Sequence, residues 1–118
     1  MAKTKNSPTS RPPRTYDRFV RDFPELGLAW ERLGRAGREG PIDPKHCELL
    51  KLAIAIAARS EGAVHSAVRK SSAAGATAAE QHQVLRLCAS TIGLPATVAA
   101  YTWMHDERRP ASRKKRER

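Results

Sequence analysis

Three side chains in this 118-residue chain have the types and spacing for acid–base chemistry: Glu48, Glu61 and His65. Glu61 and His65 stand one helical turn apart, and His65 shares an apolar stripe with Val64 and Val68. Glu48 falls on the preceding helix. If the two helices form a tight hairpin, Glu48 and His65 both face the hollow between them. A buried carboxylate beside an imidazole shifts both proton affinities and makes a general acid–base pair. Each residue also has a plainer role open to it. An inward histidine can be a hydrogen-bonded core residue, and Glu61 can be a favourable negative charge at a helix N-terminus.

The remaining chemically able residues point elsewhere. Cys47 follows His46 directly, but adjacent helical residues point about 100° apart, so the two do not pair. Cys47 sits near a helix start, where a thiol is acidified, yet core packing is its expected role. Cys88, between Leu87 and Ala89 on an inward stripe, is expected to pack. His82 lies in a polar run, and His105 falls at a helix end where a cation favours the dipole. The four histidines share no ligand spacing, so no metal and no cofactor are expected. Two cysteines alone form neither a disulfide framework nor a metal cluster, which suits a reducing cytoplasm.

The elements that carry these residues all read as helices. Tyr16, Phe19, Val20 and Phe23 recur at i, i+3, i+4 and i+7. Pro24 opens a second helix with a stripe of Leu26, Trp30 and Leu33 before Gly34 and Gly37, and residues 37–44 read as a loop. Asp43 as N-cap and Pro44 at the first helical position start a third, from Lys45 to about Arg59. That helix is apolar nearly all round, with Lys51 the break, and asks for burial by neighbours or by another subunit. A fourth begins at Ser60 or Glu61, turns Val64, His65, Val68 and Ser72 inward, and stops at Gly75 as a left-handed cap. Thr77 and Glu80 have capping-box spacing for a fifth, Ala78 to about Ile92, with Val84, Leu85, Cys88 and Ile92 inward. Gly93 closes it, and Pro95 opens a sixth lined by Val98, Ala99, Thr102 and Trp103. No segment alternates as a strand would. The fold class predicted is all-α, a compact bundle of about six short helices. Many inward positions are Ala, Gly or Ser, which bury little area at roughly 25 cal/mol per Å². A homo-oligomer is therefore expected.

Charge divides the chain further. The formal net charge is +10, and a 40% hydrophobic share is enough for a core. Residues 1–21 carry six basic groups against Asp17, and residues 106–118 carry seven against Asp106, Glu107 and Glu117, so the middle is nearly neutral. The expected organisation is a basic tail over 1–13, a helical domain over 14–106 and a second basic tail over 107–118. Such tails either tether a polyanion or acidic partner, in a salt-sensitive way, or simply keep the protein solvated. No apolar run approaches the roughly 18 residues of a membrane span, and no secretory signal is evident.

From Gly40 to Ala100 the motifs form an ordered set. Gly40-Pro41-Ile42-Asp43-Pro44-Lys45 and Glu48-Leu49-Leu50 precede the Ala/Ile-rich helix. Glu61-Gly-Ala-Val-His65 then leads to Gly75-Ala76-Thr77 and Glu80, and on to Gly93-Leu94-Pro95-Ala96. This set resembles the carboxymuconolactone decarboxylase and alkylhydroperoxidase D family. The resemblance implies an all-α domain that forms homotrimers or homohexamers. Peroxidase-like members use a Cys-x-x-Cys pair with a relay glutamate and a histidine, whereas decarboxylase members act on a lactone acid through acid–base groups. By that resemblance the cysteine positions fall on Ser60 and Ala63, the histidine position on Ala67 and the relay glutamate on Glu48. Only Glu48 is kept, so peroxidase or antioxidant activity does not carry over. The expectation is cofactor-free acid–base chemistry on a small organic acid or lactone by Glu48, His65 and Glu61. The remaining alternative is a non-enzymatic oligomer tethered through its tails.

Overall fold

The computed structural model describes residues 14–108. The 1–13 tail and all but the first two residues of the 107–118 tail lie outside the described residues. Six helices follow in order: α1 (Arg14–Asp22), α2 (Pro24–Arg38), α3 (Pro44–Ala57), α4 (Glu61–Ala73), α5 (Ala78–Ile92) and α6 (Leu94–Arg108). Among the described residues there is no strand.

The helix ends are set by local chemistry. Asp43 accepts from the His46 amide at 3.4 Å, and Pro44 follows at the first helical position. Ser60 caps α4 by accepting from the Ala63 amide at 3.4 Å. Thr77 and Glu80 close the expected capping box, with bonds of 2.9 and 3.0 Å. The Glu80 carboxyl is thereby held below the usual glutamate range, first by the Thr77 backbone amide and then by Lys45. Helices α3 and α4 end alike. The amide of Ser60 reaches back to the Ala55 carbonyl at 3.2 Å, and that of Ala76 to Ser71 at 2.9 Å. This paired wrap needs a left-handed residue just past the helix. Gly75 fills that position after α4, but Arg59, at φ 57°, fills it after α3. The third helix therefore stops at Ala57, short of the Arg59 that sequence periodicity reaches.

Helix α3 packs on α4 and α5, and α6 packs on the same two, so these four helices enclose the core. Leu52, Ala55, Ile56, Val64, Ala67, Val68, Leu85, Ala100 and Met104 are buried there. Val84, Cys88, Ile92 and Trp103 close over them. On α6 the inward face shares Trp103 with the predicted one and differs from it otherwise. Ala100 and Met104 are buried, while Val98 and Thr102 are exposed. Ala100 and Met104 stand one turn apart and so share the face that packs on α4 and α5. Buried Gln81 joins α5 to α4, donating to Val68 O, Ser71 Oγ and Ser72 Oγ at 3.2, 2.7 and 3.1 Å.

Helices α1 and α2 pack on each other, outside this core. Gly27 permits that contact, because a Cβ there would lie 2.7 Å from Val20 Cγ1. The apolar girth of α3 is only partly covered in one chain. Leu50 is 51% and Ile54 66% exposed, and Trp30 and Leu33 on α2 are open too.

Candidate functional site

Between α2 and α3 lies an open-sided cavity of about 790 Å³, with Lys70 of α4 in its lining. Trp30, Leu33, Ile42 and Leu50 give it apolar walls. Its charged lining is Arg35, Arg38, Lys51 and Lys70 against Glu31 and Glu48, an excess of cations that favours an anionic guest. Glu48 is buried at 9% exposure, and its Oε1 has no hydrogen-bond partner. An unpaired carboxylate oxygen out of water is costly, and such groups gather where chemistry is done. Beside it the Lys70 ammonium is pushed below the ordinary lysine value, first by burial and then by Lys51, with Glu48 pulling the other way. Cys47 lines the same cavity, and its thiol donates to the Ile42 carbonyl at 3.3 Å.

His65 is placed elsewhere. Its Nδ1 lies 2.9 Å from Glu107 Oε1 and its Nε2 3.4 Å from Glu61 Oε2. Arg69 Nη1 approaches Glu107 Oε2 at 3.6 Å. Carboxylates only accept, so both ring contacts are hydrogen bonds when each nitrogen carries a proton. This cluster pins the end of α6 onto α4, and it continues the folded chain past Asp106, where the sequence places the start of the tail.

The structure thus brings His65 and Glu61 together, and of the three only Glu48 lines the cavity. No hydrogen bond joins Glu48 to His65, whose ring contacts are Glu107 and Glu61. Lys70 comes five residues after His65, about 140° further round the helix, so the face of α4 that meets the cavity presents Lys70 instead. Sequence reasoning missed Lys70, Arg35, Arg38 and Glu107. Arg69-Lys70 reads as an ordinary solvated pair, and no local spacing distinguishes a lysine that α2 and α3 will cover.

The other candidates are accounted for by packing. Cys88 donates to the Ala53 carbonyl at 3.9 Å, and burial pushes its thiol up. Exposed His82 and His105 flank Tyr101, at ring separations of 6.4 and 5.9 Å. Of the two positions where the peroxidase branch carries sulfur, Ser60 is the α4 cap and Ala63 lies exposed. Among the described residues, no group of three His, Cys, Asp or Glu side chains could hold a metal ion.

A model of the carboxymuconolactone decarboxylase family matches residues 24–106. Neither curated proteins nor solved structures give a match. The matched span begins with α2 and runs through all but the last two residues of α6, so it contains both walls of the cavity together with Glu48 and Lys70. With most of its length and its whole four-helix core inside that match, the chain belongs to the carboxymuconolactone decarboxylase family.

Proposed function

We propose that the chain is a cofactor-free acid–base enzyme acting on a small organic acid or lactone in the α2–α3 cavity, with Glu48 as the proton-transferring group. The observation that carries this reading is Glu48 itself, a buried carboxylate with an unpartnered oxygen in the wall of a cation-rich cavity. The arginines and lysines would draw in and orient the substrate carboxylate, and Glu48 would move a proton at the reacting carbon or lactone oxygen. His65 and Glu61 are assigned to holding α6 on α4, because Glu107 and Arg69 share their contacts. Peroxide reduction through a cysteine pair is not part of the proposal. Free Cys47 lies on α3 and free Cys88 on α5, and a dithiol mechanism needs neighbouring sulfurs.

The test is a panel of carboxylated lactones and small organic acids, read as alkali uptake and carbon dioxide release. On whichever compound the wild type turns over, Glu48→Gln is expected to lose about 10²-fold or more of the rate while keeping its helical circular dichroism. Undiminished turnover in that variant, or no turnover across the panel, would refute the reading. The proposal includes assembly as a homotrimer or homohexamer, supported by the open apolar side chains of α2 and α3.

A further inference from the structure

We propose that Lys70 is an amine nucleophile that captures the carbonyl group of a small oxo acid as a Schiff base, with the acid's carboxylate held by Arg35 and Arg38. This rests on the α2–α3 cavity being the substrate site, but not on proton transfer by Glu48.

Of the two lysines that line the cavity, Lys51 and Lys70, burial sets Lys70 apart. It is half-buried and lines the cavity, whereas Lys51 is exposed and Lys45 is bound to Glu80 at 2.9 Å. Among the described residues no carboxylate forms an ion pair with it. It shares the cavity wall with Glu48, whose Oε1 has no hydrogen-bond partner, so a proton acceptor and donor stands beside the amine. Burial and the like charge of Lys51 both favour loss of its proton, the condition an amine needs before it can attack. Arg35 and Arg38 stand one turn apart on α2 and line the same wall, and guanidinium groups suit a carboxylate's two oxygens. The charge of Arg38 is near enough to disfavour the Lys70 ammonium, so an acid carrying its carbonyl next to its carboxylate suits the pair.

The step balances without any redox partner. The Lys70 Nζ lone pair forms a bond to the carbonyl carbon, and the carbonyl π pair moves onto oxygen. The two amine hydrogens then leave with that oxygen as water, and the nitrogen lone pair closes the C=N bond. A proton taken from the Glu48 carboxylic acid or from solvent gives the iminium.

The full-length chain, in its native assembly, would be incubated with pyruvate and cyanoborohydride, and the reduced adduct located by peptide mass spectrometry. Hydride delivery to the iminium leaves a stable secondary amine. The expected result is one dominant adduct, on Lys70 in preference to the six other lysines of the sequence. Acetone, a carbonyl compound without a carboxylate, is expected to label it far less. Lys70→Arg keeps the positive charge and is expected to lose the dominant adduct, and mapping on the wild type stands even if that variant does not fold. Absence of an adduct, labelling spread over the exposed lysines, or equal labelling by acetone would overturn the proposal. Loss of turnover in Glu48→Gln without a wild-type adduct would leave the acid–base reading in place and remove this one. An adduct at Lys70 with undiminished turnover in Glu48→Gln would do the reverse.

Discussion

Burial and the neighbouring Lys51 push the Lys70 ammonium below the ordinary lysine value of 10.5, and Glu48 does not fully offset them. In the unfolded chain those neighbours are gone. Between the lowered folded value and 10.5 the unfolded state therefore binds more protons, and stability rises with pH across that window. Below the window Lys70 is charged in both states, and the cost of burying its charge is present in full. The urea midpoint of the wild type is expected to rise relative to that of Lys70→Met as pH climbs through this window, the raised Cys88 thiol adding the same opposing slope to both. At this scale the sequence reading was half sufficient. Glu48 stood out because the resemblance places the family's relay glutamate on it, whereas Lys70 looked like any surface cation. What distinguishes it is a desolvation imposed by residues about 20 to 35 positions away in the chain, which no local pattern encodes.

Helix boundaries belong to the scale of elements, and there the comparison between α3 and α4 is informative. Both helices end in the same backbone wrap, one through Gly75 at φ 101° and the other through Arg59 at φ 57°. A side chain in the left-handed region costs roughly 1–2 kcal/mol, which glycine avoids. Arg59→Gly is expected to raise unfolding stability by up to about 1 kcal/mol, because glycine's freedom in the unfolded chain offsets part of that relief. Gly75→Ala is expected to lower it by a similar amount. Chemical denaturation of the two variants checks both signs together. The caps were legible in the sequence because they act over three or four residues. The Thr77–Glu80 box, Asp43 and Gly75 needed no knowledge of distant contacts. Arg59 was not legible, since nothing about its side chain announces a positive φ.

For the whole molecule, the decisive fact is how little one chain buries. Among the described residues, three of the nine buried apolar ones are alanines, and the Cα radius of gyration is 14.8 Å, above the roughly 13 Å of a compact 100-residue domain. Leu50 and Ile54, one turn apart on α3, are open while Leu52 and Ile56 form the core. The proposed assembly covers that second face. Leu50→Glu together with Ile54→Glu is expected to convert the oligomer to monomer by light scattering, and to lower its thermal midpoint. An unchanged mass would refute subunit contact through α3. The same two substitutions leave Leu52, Ala55 and Ile56 in place, so loss of assembly need not mean loss of the four-helix core.

What the sequence determined by itself was the set of helices, their caps and the family, because periodicity, N-caps and ordered motifs are written in short stretches of chain. Tertiary structure alone decided which faces meet. Helix α4 carries His65 on one side and Lys70 on another, and either could have faced Glu48 on the strength of its pattern. Packing of α6 against α4 let Glu107 and Arg69 gather around His65. The α2–α3 side was left to Lys70 and Glu48. A rotation of a helix about its axis changes no local spacing, but it decides which of its ionisable groups is desolvated beside another, and that settles where chemistry can occur.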